Sequence, residues 1–219
     1  MVHRINTISE FDKLIKKGHP IVDLRNPDEF SSGFIPGSLC LPLNHFEHIA
    51  NHFLYADMGI VFISGKEEDT LLGEFFQTIK LNNVIGLFSE GYEKWKEAER
   101  SIDLIISIEA DELLLEINHG KMTIIDIRPS NLYHRKHIKD SVNMQVKDIL
   151  KNRQSLSEIE EVCMLCDDGF LSLSLISYLK INGIHHIYHL SGGFKSTEST
   201  SGLLFNERKT NKRPPASAN

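Results

Sequence analysis

The sequence contains no stretch approaching the ~20 consecutive apolar residues of a membrane-spanning helix, so no membrane association is expected. Its first twenty residues, MVHRINTISEFDKLIKKGHP, are interrupted by polar side chains throughout and hold no apolar core of signal-peptide length. Cysteine is scarce: three residues, an odd number, make no disulfide framework. These absences together imply a cytoplasmic protein in a reducing compartment. A basic excess is missing too. The formal net charge is −6, which argues against a nucleic-acid partner, because a phosphate backbone needs a clustered basic surface, and the Lys and Arg cluster of the C-terminal tail reads as a solvated end. What is present is ordinary for a globular chain, 41% hydrophobic and 25% charged. At 219 residues it is long enough for one large domain or two of about a hundred each.

An internal repeat decides between these. Ile21-Val22-Asp23-Leu24-Arg25 reads like Ile124-Ile125-Asp126-Ile127-Arg128, an offset of 126 − 23 = 103 residues. The same offset sets Phe30 on Tyr133, Ile35 on Ile138 and Ser38 on Ser141. It carries Ile60–Ile63 onto Cys163–Cys166 and Val84-Ile85 onto Ile187-Tyr188. One offset holding across so many positions marks a duplication with few net insertions.

Each copy alternates short apolar runs with helical patterns. In the first, Ser9 is placed to cap a helix that presents Phe11, Leu14 and Ile15 on one face. Strands are predicted at 21–24, 39–41, 60–63 and 84–87, with a crossover helix over 69–80 burying Leu72, Phe75, Phe76 and Ile79. The second copy repeats this with helices over 108–118 and 172–182 and strands at 123–127, 142–144, 162–165 and 187–190. Such alternation predicts an α/β fold in two tandem domains, each a mostly parallel sheet with helices on both faces. The expected divisions are 1–100, 101–198 and a disordered polar tail over 199–219. Ligands in such sheets sit beyond the carboxyl ends of the strands, which directs attention to the residues after Ile63 and Leu165.

VDLRNPDEFSSGFIPGSLCLPL in the first copy resembles the signature of the rhodanese family, and SEGYEKWKEA resembles its closing element. DIRPSNLYHRKHIKDSVNM and HLSGGF are similar to the same two elements in the second copy. The resemblance spans roughly residues 5 to 195. It implies two rhodanese-like domains and sulfur transfer through a cysteine persulfide, with no metal or organic cofactor. The family's cysteine falls on Cys166, heading the loop Cys166-Asp167-Asp168-Gly169-Phe170-Leu171 before Ser172. In the first copy Ile63 takes the cysteine position (166 − 103 = 63) and Ser64, Gly65, Lys66, Glu67 and Glu68 follow it, so this copy is expected to be catalytically silent.

A physical argument for Cys166 stands beside the resemblance. A loop running from a strand into a helix aims unpaired backbone N–H groups at one point, a nest for an anion. A thiolate held there should have a lowered pKa. Gly169 permits the tight turn, and the backbone amides of Asp168 to Ser172 are placed to cradle the charge. Against this, Asp167 and Asp168 bring negative charge, and Leu171 stands where active relatives often carry arginine. Pointing inward the two carboxylates would oppose activation; pointing outward they would repel anionic donors.

Rival motifs are weaker. Cys163 and Cys166 have thioredoxin spacing, but three residues of extended strand separate their Cα atoms by ~10 Å, beyond the ~7 Å a disulfide tolerates. Zinc lacks a second close cysteine pair. A phosphatase would need arginine six residues after the cysteine, where Ser172 stands. Asp126 with Arg128, like Asp23 with Arg25, reads as a pair orienting loops at a strand end, Arg128 being also available to an anionic donor. His134, His137, His185, His186 and His189 show no ligand spacing and read as packing or surface residues.

The reading is therefore a sulfurtransferase or sulfur carrier with Cys166 as nucleophile, and the loop 167–172 with Arg128 around the substrate. Its donor would be thiosulfate, polysulfide or a protein persulfide, and its acceptor a thiol, cyanide or a partner protein. The alternative is a non-catalytic binding or regulatory module. The oligomeric state is left open.

Overall fold

The computed structural model describes residues 2–66, 69–120 and 122–207. The first copy runs α1 (Ile8–Lys16), β1 (Ile21–Asp23), α2 (Pro27–Ser32), β2 (Ser38–Cys40), α3 (Phe46–Ile49), β3 (Ile60–Ser64), α4 (Asp69–Thr78), β4 (Val84–Ser89) and α5 (Gly91–Glu97). The second runs β5 (Ser107–Ile108), α6 (Ala110–His119), β6 (Thr123–Asp126), α7 (Ser130–Tyr133), β7 (Lys136–Ile138), β8 (Val142–Asn143) and α8 (Val146–Lys151). It continues with β9 (Val162–Leu165), α9 (Phe170–Ile181), β10 (Ile187–Leu190), α10 (Gly193–Thr197) and β11 (Phe205–Glu207).

The strand orders are β2-β1-β3-β4 and β5-β10-β9-β6-β8, with every pair in both sheets parallel. A parallel bridge from Arg4 to Leu87 sits at the outer edge of β4, as β5 sits beside β10. Arg4 and Ser107 are again 107 − 4 = 103 residues apart, so the two sheets share one topology from the first edge to the last.

Both faces of each sheet are buried, and the strand period of two distributes the side chains. In β3, Ile60 and Phe62 enter one core while Val61 and Ile63 enter another. In β9, Val162 and Met164 join the same large core as Phe62, whereas Cys163 and Leu165 face the opposite side. The large core is thus common to both copies, and α9 lies at its centre. Ser172 to Ser177 and Leu179 of α9 are all buried, which is why its sequence, FLSLSLISYLKI, is apolar around the whole circumference. Its serines return hydrogen bonds to the backbone, Ser174 Oγ to Phe170 O and Ser177 Oγ to Ser174 O. Ser177 Oγ also accepts from Cys40 N of the first copy at 3.0 Å, and Lys180 pairs with Asp103.

Three expectations are corrected. Thr7, not Ser9, caps α1, because the helix begins at Ile8 and the Thr7 hydroxyl accepts from Glu10 N. Ile108 belongs to edge strand β5, and α6 starts two residues later behind a Glu109–Glu112 capping box. Over 199–207 the expected disordered tail is instead folded: Leu203 is buried, Phe205 packs on Phe194, and β11 pairs antiparallel with β7. Residues 208–219 of that tail lie outside the described residues, as do Glu67 and Glu68. Among the described residues no helix is long and apolar enough to cross a membrane.

Candidate active site

Strand β9 ends at Leu165 and the next residue turns out of the sheet, whereas its counterpart β3 keeps pairing with β4 through Ser64. That early exit creates the loop. Cys166 Sγ accepts from Gly169 N at 3.2 Å, Ser172 N at 3.4 Å and Ser172 Oγ at 3.4 Å. All three donors belong to the loop and the first turn of α9, where backbone N–H groups have no helical acceptor. Of the expected cradle, Gly169 and Ser172 therefore meet the sulfur directly. Phe170 N turns instead to the Asp168 carboxylate at 3.3 Å.

The two aspartates point different ways. Asp167 is half exposed and pairs with Lys195 at 2.7 Å, so Lys195 largely offsets its charge. Asp168 turns inward, with Oδ1 3.8 Å from Cys166 Sγ. Cys166 is only 4% exposed, and burial pushes its thiol up from the ordinary cysteine value. The Ser172 hydroxyl and the Ser172 and Asp168 backbone amides pull it down, and the Asp168 carboxylate pushes it up again. The lowered pKa expected for the nest is therefore not found: loss of water outweighs the donors. The resting group is a thiol whose nearest carboxylate is Asp168.

A second layer holds the loop from below. The N–H groups of Phe194 and Lys195, opening α10, donate to the carbonyls of Cys166 and Asp167 at 2.8 and 3.1 Å. Gly193, at φ +62°, makes this approach possible. A Cβ there would lie 2.6 Å from Gly169 N, 2.7 Å from Cys166 O and 2.8 Å from Asp168 N. These are backbone atoms that cannot swing aside. Gly193→Ala should cost about 2–3 kcal/mol of stability from the left-handed backbone and overpacking. It should also displace the loop. Urea denaturation and the cysteine's alkylation rate, measured on the folded variant, would register the two effects separately.

His189, read from sequence as a packing residue, has a defined task. Its Nε2 lies 3.0 Å from Gly169 O and its Nδ1 3.1 Å from Ser107 Oγ. A carbonyl only accepts, so Nε2 carries the proton and Nδ1 accepts from the serine. Burial takes this imidazole down to about 4, the Gly169 carbonyl opposing only in part. An unfolded histidine titrates near ~6.5. The neutral ring's contribution is therefore complete above that value and fades as pH falls toward 4, by roughly 3 kcal/mol in all. His189→Gln retains a donor without titrating in this range. It should be the less stable protein at pH 7.5, with the gap closing by about 2–3 kcal/mol at pH 4.5 in urea denaturation. The offset places Gly86 opposite His189 (189 − 103 = 86), and this difference between the copies was the available signal.

Arg128 is committed elsewhere. Its Nε and Nη2 clasp the Asp126 carboxylate at 3.0 and 2.6 Å, Nη2 also donates to Lys136 O, and the guanidinium lies 3.4 Å from the centroid of the Phe194 ring. Arg25 repeats the clasp on Asp23 and donates to Gly33 O. Both pairs are buried and tie a strand end to the turn after it, the structural role expected of them.

Above Cys166 lies a cavity of about 280 Å³. Pro129, Phe170 and Leu171 line it from the second copy, beside Ile127, Arg128 and both aspartates. His45, His48 and Ile49 close it from the first. The His45 ring stacks on Phe170 with centroids 3.6 Å apart. These first-copy residues were invisible to sequence reasoning, being more than a hundred positions from the cysteine. A larger cavity of about 420 Å³ near Leu54 and Leu81 contains no cysteine. Cys163 and Cys166 face opposite sides of the sheet and both are free thiols, as the strand geometry required.

Two matched parallel α/β domains, one with Cys166 heading a loop of donors and one with Ile63 at the matching position, define a duplicated architecture with one candidate site. The model of the rhodanese-like domain matches residues 7–98 and 109–200, and the chain belongs to that family as a tandem of two such domains. An uncharacterized protein of Bacillus subtilis, YqhL, is 27% identical over 77 residues. That match takes in 35% of this chain and 61% of the relative's length, so the chain spans under two thirds of it. Among solved structures, a rhodanese-like domain protein from Staphylococcus aureus is 26% identical, with a TM-score of 0.41, covering 46% of this chain and 97% of that one. A thiosulfate sulfurtransferase from Pseudomonas aeruginosa is 15% identical, with a TM-score of 0.39, covering 93% of this chain and 43% of that one.

Proposed function

We propose that the protein is a sulfurtransferase or sulfur carrier that holds a sulfane sulfur on Cys166 as a persulfide. The observation that carries this reading is the convergence of Gly169 N, Ser172 N and Ser172 Oγ on Cys166 Sγ beside an open cavity. In the first half-reaction the thiol loses its proton, for which Asp168 Oδ1 is the acceptor at hand. The thiolate then attacks the sulfane sulfur of a donor such as polysulfide, thiosulfate or a protein persulfide. The donor's S–S bond breaks, and its remainder leaves with the electron pair. In the second, an acceptor nucleophile (a thiol, cyanide or a partner protein) attacks the outer sulfur and Cys166 leaves as thiolate. The first domain, with Ile63 in the cysteine's place, supplies cavity wall and no nucleophile. The reading includes a cytoplasmic setting, whose reducing poise keeps Cys166 available as a thiol.

A second reading, a non-catalytic binding module, draws on the same burial and Asp168 carboxylate that push the Cys166 thiol up. Intact-protein mass spectrometry after incubation with polysulfide or thiosulfate decides between them. A reducible gain of one sulfur atom supports the carrier. No adduct from either donor, on folded protein with Cys166 reduced, leaves the binding module.

A further inference from the structure

Resting on the persulfide reading, we propose that the loaded Cys166 cleft discharges its sulfur preferentially to a small, uncharged or cationic organic thiol with an apolar body, and disfavours sulfite and similar dianions as acceptors. Three observations converge on this class. The cavity floor and walls are largely apolar, with Ile49, Pro129, Phe170 and Leu171 around the sulfur. The nearest charge to the reacting atom is negative, Asp168 Oδ1 at 3.8 Å from Sγ. The permanent cations in reach are engaged, Arg128 by Asp126 and Lys136 O and Lys195 outward by Asp167, which leaves the imidazoles of His45 and His48 as the other basic groups in the lining. A dianion approaching Sγ would leave water for an apolar wall and meet a carboxylate there. An alkyl chain would instead gain by the same transfer. At about 280 Å³ the cavity is near the lower end of ligand pockets, roughly 300–1,000 Å³, which fits a small molecule.

The test loads full-length protein with polysulfide and follows discharge of the Cys166 persulfide by mass spectrometry. Acceptors are ethanethiol, propanethiol, butanethiol, mercaptoethanesulfonate, glutathione and sulfite, each referred to its rate with free cysteine persulfide. Attack by a thiolate returns Cys166 thiolate and an organic persulfide; attack by sulfite returns the thiolate and thiosulfate. Burying one methylene is worth about fourfold, so the referred rate should climb about fifteenfold from ethanethiol to butanethiol, two methylenes longer. Butanethiol should exceed sulfite and mercaptoethanesulfonate by tenfold or more, and glutathione should be poor. Asp168→Asn keeps the acceptor for Phe170 N and removes the charge. It should lower the butanethiol-to-sulfite ratio fivefold or more, a ratio that partial loss of folded protein does not move. A rate flat with chain length, or a ratio equal to that of the free persulfide, overturns the inference while the carrier reading stands. Failure to load sulfur at all, seen before any acceptor is added, overturns both.

Discussion

Cys166→Ser is expected to take up no sulfur from polysulfide or thiosulfate, against one reducible sulfur atom on the wild-type chain, and to retain nearly all of its stability. The asymmetry follows from the site. Serine keeps a small group able to accept from Gly169 N and the Ser172 donors, so the loop's hydrogen bonds have a partner. What it loses is the one atom in the loop that can bind a sulfane sulfur. Cys40 and Cys163 cannot substitute. Both are fully buried, burial pushes Cys40 well above the ordinary value, and it holds Cys163 at about 12. A Cys166→Ser chain that still gains sulfur, or a wild type that gains it at another cysteine, would remove Cys166 from the mechanism.

Arg128→Ala should be the most destabilising change of charge in the second domain, costing about 3–5 kcal/mol. The cost is less the loss of attraction than the stranding of Asp126, a carboxylate with no exposed surface. Lys136 O would lose its donor as well, and the Phe194 ring its cation. For a chain of this size that corresponds to a fall in Tm of roughly 6–20 °C. Arg128→Lys should recover part of it, since an ammonium restores the charge without the planar fork that grips both carboxylate oxygens. Because Arg25 holds Asp23 with the same atoms at nearly the same distances, Arg25→Ala should lose a similar amount. Thermal denaturation of the four proteins checks this; a drop below about 1 kcal/mol for Arg128→Ala would mean that water reaches Asp126 readily.

Much of this was readable in the residues. The 103-residue offset delivered both sheets, because a duplicated fold repeats its apolar strand runs even where identities have drifted. The loop at Cys166 followed from where a parallel sheet places its strand ends. Local signals failed where long-range pairing decides. Ile108 has the pattern of a helix start, yet it is drawn into the edge strand by pairing with Leu190. Phe205 fell within the tail expected over 199–219, yet Ile138 and Phe194 supply something for it to pack on. The directions of Asp167 and Asp168 turn on Lys195 and Phe170 N, contacts that adjacent residues alone do not determine. The raised Cys166 thiol likewise depends on how much water the first copy excludes, a property of the closed cleft.

Helix α9 opens with the amides that meet the sulfur and continues through the core common to both halves. The half with Ile63 at the position matching Cys166 is thereby held to the shape of the other half. Its β2 edge, through Cys40 N, rests on the same helix whose first turn faces Cys166. A change that moves β2 therefore bears on the helix whose first turn meets the Cys166 sulfur, so the cleft is a property of both halves together.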